Sequence, residues 1–301
     1  MKNTRFSFLP VLVILLITCT STAKIRACDV STYIAILKSE QDNLKKIPKK
    51  RTSRELVVGY TEGTKYMVKK LTKLFEQRMK GFTVFTEELT NLRADCLTEG
   101  SLYNPEKNKS DLIIVPTLLN KNNNLLHKVS DWAITFASDE LVLVFGGAGK
   151  HKETIKKLSW TKVTGNKNYT MVIATDPKKC LSHHTKALCH EINREWPITK
   201  TQIATVETGI EVIEKIVKGE ADYGFIYKSM ARTYSMITKD LPANINQHDS
   251  ISYGFTIKKR SPNNASAALF AETMLSTGGY FRIQVSGLTA ISGGKIDFKT
   301  R

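Results

Sequence analysis

The alternation of apolar and polar positions is clearest between Thr208 and Thr233. Ile210, Val212, Ile213, Ile216 and Val217 recur at helical spacing and predict an amphipathic helix with one buried face. Glu211 with Lys215 and Glu214 with Lys218 are i,i+4 pairs in the favourable order, and Gly219 stands at the C-terminal cap position. After a short acidic turn, residues 222–227 read as a buried strand that runs straight into a second helical start at 228–233. Helix, turn, strand and helix in this order form a unit of an open α/β sheet. Ligands of such sheets bind beyond the carboxyl ends of the strands, which places Tyr227 and Ser229 where a ligand is expected.

The same reading along the chain predicts strands over 55–60, 82–85, 111–116, 141–145, 171–175 and 251–258. Helices are expected over 31–44, 65–79, 152–158, 181–196 and 265–275, the second with Met67, Val68, Leu71, Leu74 and Phe75 on one face. Residues 293–301 are polar and are expected to fray. Strand 55–60, the small-residue turn Thr61-Glu62-Gly63-Thr64 and the following helix make an arrangement suited to an anion. Free backbone N–H groups and the positive end of the helix dipole point at one place, and threonine hydroxyls add neutral donors. Thr64 serves equally well as a simple helix cap. The loop 86–90 offers Thr86 or Thr90, but Glu87 and Glu88 beside them repel an anion.

Composition adds compartment and charge. The chain has 301 residues, 41% of them apolar, enough for two lobes with their own cores. Lys2 and Arg5 precede an apolar run over 6–17, and Ser21-Thr22-Ala23 supplies small residues for cleavage, so a secretory signal peptide ending near Ala23 is expected. Cys19 echoes a lipobox, but the threonine before it departs from that pattern, and cleavage after Ala23 is preferred to a lipid anchor. The net charge of +17 favours anionic partners, an oxyanion or an acidic extracellular surface, and export excludes nucleic acid. The run KKIPKKRTSR (45–54) reads as a solvated linker. Past the signal peptide, Cys28, Cys96, Cys180 and Cys189 remain, an even number that suggests two disulfides in an oxidising compartment.

The segment GEADYGFIYKSMA (219–231) resembles the signature of type 2 solute-binding proteins, closest to those that deliver molybdate or tungstate to ABC importers. DWAITFASDELVLVF (131–145) is similar to that family's crossover strand between lobes. ISYGFTIKK (251–259) and SPNNASAALFAETMLSTGG (261–279) are similar to the return strand and the helix after it. The resemblance implies an α/β periplasmic-binding-protein fold of two lobes, each a mixed sheet flanked by helices, with two crossover strands as hinge. Residues 24–136 plus 252–301 would make lobe 1 and residues 137–251 lobe 2. It further implies a small oxyanion in the interlobe cleft, an ABC permease as partner, a monomeric state and no cofactor. The contact residues would be Thr61, Gly63 and Thr64, with Thr86 a weaker member, from lobe 1, and Asp176, Ser182 and Tyr227 from lobe 2. In the archaeal-type branch an Asp in the loop of Asp176 coordinates the metal of the oxyanion, whereas Ile226 stands where that branch has a Glu. With lobes so divided, pairs Cys28–Cys96 and Cys180–Cys189 would each stay within one lobe and leave the hinge free.

Other motifs fail on inspection. GGAGKH (146–151) lacks the first glycine and the final Ser/Thr of a phosphate loop, and HEINR (190–194) lacks the second histidine of a zinc-protease helix. Cys180, His183, His184, Cys189 and His190 could hold a metal only with reduced thiols. Lys178, Lys179, His183 and His184 could instead form a basic mouth, with Ser182 capping the helix. No catalytic constellation survives, so the chain is read as a non-enzyme. The alternative to oxyanion capture is an extracellular recognition module that kept the fold and lost the transport role.

Overall fold

The computed structural model describes residues 30–41, 45–89, 109–117, 129–176, 180–192, 203–242, 245 and 251–298. Its order is α1 (Val30–Gln41), β1 (Glu55–Tyr60), a 3-10 turn (Glu62–Thr64), α2 (Lys65–Arg78), β2 (Thr83–Glu88), β3 (Leu112–Thr117), β4 (Trp132–Ser138) and β5 (Leu141–Phe145). There follow α3 (Lys152–Lys157), α4 (Trp160–Thr164), β6 (Met171–Ala174), α5 (Cys180–Ile192), β7 (Ile203–Val206), α6 (Gly209–Lys218), β8 (Tyr223–Tyr227) and α7 (Lys228–Thr233). The chain closes with β9 (Ile237–Asp240), β10 (Ser252–Ile257), α8 (Asn264–Leu275), α9 (Thr277–Val285) and β11 (Thr289–Phe298).

The strands divide into a six-stranded sheet, β11-β4-β10-β3-β1-β2, and a five-stranded sheet, β7-β6-β8-β5-β9. In the first, β1 runs parallel to β2 and β3, while β10 is antiparallel to both β3 and β4. In the second, β6 is parallel to β7 and β8, and β5 is antiparallel to β8 and β9. The chain leaves the first sheet after β4 through Asp139 and Glu140, and returns to it as β10. This is the two-lobed fold of type 2 periplasmic binding proteins, and the turn after β1 of one sheet meets the helix after β8 of the other. α1 packs against α6 of the second sheet, and the Tyr33 ring meets Tyr234 at 5.9 Å.

The α6–β8 unit forms as its sequence dictates. Thr208 accepts from the Glu211 N–H while the Glu211 carboxylate reaches back to the Thr208 N–H, a complete capping box. Gly219 adopts φ 76° at the C-cap, a left-handed conformation that a side chain would strain. Every residue of β8 is buried, because β5 and β6 flank it and helices cover it. In α2, Met67, Val68, Leu71, Leu74 and Phe75 are the buried residues, as their spacing predicts. One contiguous apolar core takes in residues of both sheets, from Leu56 and Phe75 to Ile216 and Phe225.

The basic run 45–54 is not only a solvated linker. Arg51 forms an ion pair with Asp111, which is 1% exposed and also accepts from the Val57 N–H at 2.8 Å and the Ser261 hydroxyl at 2.5 Å. These donors offset the cost of burying the Asp111 carboxylate, and the pair pins the run to the first sheet. Of the C-terminal segment expected to fray, residues 293–298 form part of a strand instead, and residues 299–301 lie outside the described residues. β11 hydrogen-bonds the edge of β4 with a register shift between Ala290 and Lys295, where Gly293 and Gly294 adopt positive φ. Its polar side chains gave no periodic signal because an edge strand is held by backbone hydrogen bonds.

Candidate functional site

The turn after β1 and the N-terminus of α7 meet in the cleft. The Ser229 hydroxyl lies 2.9 Å from the Gly63 carbonyl oxygen and 2.5 Å from Asp139 Oδ2. Asp139 also accepts from the Glu140 N–H at 2.8 Å and the Ser229 N–H at 3.3 Å, and the Tyr253 hydroxyl hydrogen-bonds it. A chain of hydrogen bonds therefore runs from lobe 1 (Gly63) through lobe 2 (Ser229) to the crossover (Asp139, Tyr253). Burial pushes the Asp139 carboxyl up to about 7, against the lowering effect of its hydrogen bonds to Ser229 and Glu140. Proton counting agrees. Ser229 has one proton and two acceptors, so a protonated Asp139 can donate to Ser229 while Ser229 donates to Gly63.

Gly63 packs between Tyr253 of the first sheet and Tyr227 of the second. A Cβ built there would lie 2.3 Å from the Tyr253 hydroxyl and 3.6 Å from the Tyr227 ring, so only glycine fits. Tyr227, at the carboxyl end of β8, shares a 2.9 Å hydrogen bond with His184 Nδ1. Burial, then the charges of Asp139 and Glu62, hold the Tyr227 phenol well above its usual range, and burial and the same charges do so for Tyr253. Both phenols stay protonated and act as donors. His184 is pushed down to about 4 by burial and by His183, so it is neutral at physiological pH and adds no charge to the cleft.

The residues singled out from sequence separate into groups. Thr61 precedes the 3-10 turn, and its hydroxyl is buried without a hydrogen-bond partner. Ser182 lies inside the first turn of α5, which begins at Cys180, so it is not the helix cap; its hydroxyl, and that of Thr185 one turn on, are likewise buried and unpartnered. Tyr227 links the two sets, with its ring against Gly63 and its hydroxyl on the helix that carries Ser182. Thr64 is fully buried and donates its hydroxyl to the Thr61 carbonyl at 3.0 Å, so it neither caps α2 nor offers a free donor. Asp176 is half-buried just past the end of β6. Thr86 is not in a loop: it sits within β2, in register with Val58, and lines a separate cavity against α2. Thr90, Lys178 and Lys179 lie outside the described residues.

The Cys180–Cys189 bond is not formed. Both residues belong to α5, nine positions apart, which at about 1.5 Å per residue separates them by roughly 13 Å, far beyond disulfide reach. Cys189 is a free, buried thiol that burial pushes up to about 12, so it stays protonated and is poorly suited to bind a metal. Cys28 and Cys96 lie outside the described residues. Sequence reasoning undervalued Asp139, Tyr253 and Glu62. Asp139 and Tyr253 lie within the crossover segments 131–145 and 251–259 and Glu62 in the turn 61–64, but nothing local distinguishes them from their neighbours.

No family model matches the chain, and no curated protein matches it by sequence. Solved structures match its fold. The substrate-binding domain assigned to a molybdenum ABC transporter from Clostridium difficile superposes with TM-score 0.58 at 16% identity, over 79% of this chain and 99% of that one. The periplasmic molybdate-binding protein of Azotobacter vinelandii gives 0.60 at 14% identity, over 78% and 98%. Peb3 from Campylobacter jejuni gives 0.58 at 10% identity, over 78% and 99%, and a further structure holds that protein with L-phospholactate bound. At these identities the likeness establishes the fold: this chain has the architecture of the type 2 solute-binding proteins.

Proposed function

We propose that the protein is an exported solute-binding protein that captures a small oxyanion, of the molybdate and tungstate class, in the cleft between residues 24–136 plus 252–301 and residues 137–251. The observation that carries this reading is the pair of buried, unpartnered hydroxyls, Thr61 Oγ1 and Ser182 Oγ, one from the turn whose Gly63 meets the Tyr227 ring and one from the helix whose His184 bonds the Tyr227 hydroxyl. A buried hydroxyl without a partner costs about 1–3 kcal/mol, and an oxyanion accepting from it removes that cost. Neutral donors suit a desolvated anion, and the two solved molybdate-type proteins and the phospholactate complex support an anion as cargo. Asp176 would complete the set at the mouth of β6. Delivery to an ABC permease and removal of a signal peptide near Ala23 belong to the same proposal.

A second reading is an extracellular recognition module with no cleft ligand. It is favoured by the carboxyl groups of Asp139 and Glu62 near Tyr227 and Tyr253, which oppose an anion, and by the Ser229–Gly63 contact that already joins the lobes. Thermal unfolding with molybdate, tungstate, sulfate and phosphate separates the two. An anion at about a hundred times its dissociation constant adds roughly 2.7 kcal/mol and raises the melting temperature visibly. Thr61→Val should abolish that response while leaving the free protein as stable or slightly more so, since it removes an unsatisfied polar group. No shift with any of the four anions selects the recognition module.

A further inference from the structure

We propose a second ligand site, between α2 and strands β1 and β2, for an amphipathic organic anion: an apolar body of about one ring bearing a carboxylate, sulfate or phosphate. A cavity of about 220 Å³ lies between α2 and strands β1 and β2. Its floor is apolar, formed by the buried side chains of Tyr60, Val68 and Val84. Its rim is basic. Lys65, Lys69 and Lys73 follow one another at i,i+4 along α2, and Lys45 comes in from the segment before β1. Like charges at this spacing destabilise a helix, and an anion beside Lys69 and Lys73 offsets that cost. Among the described residues, Lys69 and Lys73 have no ionic partner.

Two further features give the cavity a chemistry of its own. Glu76, the only carboxylate among the described residues that line it, is already engaged: Oε1 accepts from Lys45 at 2.7 Å and from the Val84 N–H at 2.9 Å, so it does not oppose an incoming anion. Thr72 carries a buried hydroxyl with no hydrogen-bond partner, and Thr86 lines the cavity as well. Thr86 therefore serves this cavity and not the cleft. The size suits the class, since an apolar cavity of about 150 Å³ accommodates benzene and this one leaves room for a head group. An apolar floor with a cationic rim selects molecules carrying both parts, because either part alone forfeits half the contact.

The test uses the full chain with phenyl phosphate as probe, titrated by calorimetry beside inorganic phosphate (head alone) and benzyl alcohol (ring alone). Phenyl phosphate should bind with saturation and more tightly than either fragment. Lys69→Glu with Lys73→Glu should weaken it about tenfold or more, equivalent to 1.4 kcal/mol or above. Thr72→Val should weaken it by a smaller factor. Lys156→Glu with Lys157→Glu on α3 should leave it unchanged, as should Ser182→Ala in the cleft. Absence of saturable binding overturns the proposal, and so does binding that survives the α2 charge reversals. Loss of binding in Ser182→Ala assigns the probe to the cleft and also overturns it, so this site and the interlobe reading fail by different results.

Discussion

Gly63 shows how much a single residue can carry in the cleft. Its missing side chain lets the Tyr253 hydroxyl approach the backbone, and its carbonyl faces Ser229 of the other lobe. Tyr253 is 1% exposed and hydrogen-bonded to Asp139, so it cannot swing away to admit a methyl group. Gly63→Ala should therefore destabilise by about 1–3 kcal/mol through overpacking, read from the urea midpoint. Tyr253→Phe removes the atom that clashes. The double variant should lose clearly less than the sum of the two single losses, because the residues are in contact. Additive losses would show that the tyrosine does not press on this glycine. The sequence marked Gly63 and Tyr227 as candidates because one lies in the turn after a strand and the other at a strand's carboxyl end. It could not mark Tyr253, which reads as one more aromatic in a buried strand until β10 is placed beside the turn.

Elements differ in how far their own residues define them. α6 is legible because its signals are local: a capping box at Thr208 and Glu211, an apolar stripe, and a left-handed glycine at the end. Thr208→Ala removes the side-chain acceptor for the Glu211 N–H at 3.2 Å and should cost about 1 kcal/mol. Thr208→Ser should retain most of the stability, and thermal melts of both variants decide this. α5 is the opposite case. Keeping each bridge within one lobe suggested a bond between Cys180 and Cys189, but the helix that holds both keeps them apart, as the helix expected over 181–196 already implied. The second half of β2 and the whole of β11 also escaped. Thr86 was read into a loop because the apolar run stops at Phe85, while the strand continues to Glu88 through backbone pairing with β1.

At the scale of the whole molecule, the contact between lobes is a titrating one. Asp139, raised from 3.8 to about 7, favours the folded, joined state once protonated. A carboxyl with a raised folded pKa contributes stability that is fully present below its unfolded value and is lost as pH rises through 7. His184, lowered from 6.5 to about 4, works the other way: acid favours the unfolded chain, whose imidazole protonates first. From pH 8 to pH 5, Asp139 adds roughly 2–3 kcal/mol and His184 removes roughly 2 kcal/mol, so the two nearly cancel. Glu62 and the protonated phenols of Tyr227 and Tyr253 face the same centre, and Glu140 is held by its ion pair with Lys228. Urea unfolding between pH 8 and pH 5 should show Asp139→Asn losing stability relative to the parent and His184→Gln gaining it. Parallel profiles for the parent and Asp139→Asn would remove Asp139 from this role.

What the amino-acid order determined by itself was the set of local decisions: the α/β alternation, the buried faces of α2 and α6, the strand ends that present Thr61 and Tyr227, and the crossover segments that name the fold class. Each depends on interactions between residues a few positions apart, where periodicity, caps and turns act. Only the tertiary structure decided that Ser229 meets Gly63 across 166 positions, that Asp139 is buried with Tyr253, that Arg51 pairs with Asp111, and that Thr86 faces the lysines of α2. These contacts join residues far apart in the chain. Their energies depend on burial and on partners that no local pattern specifies, because a carboxylate or a hydroxyl reads the same in sequence whether water or protein surrounds it.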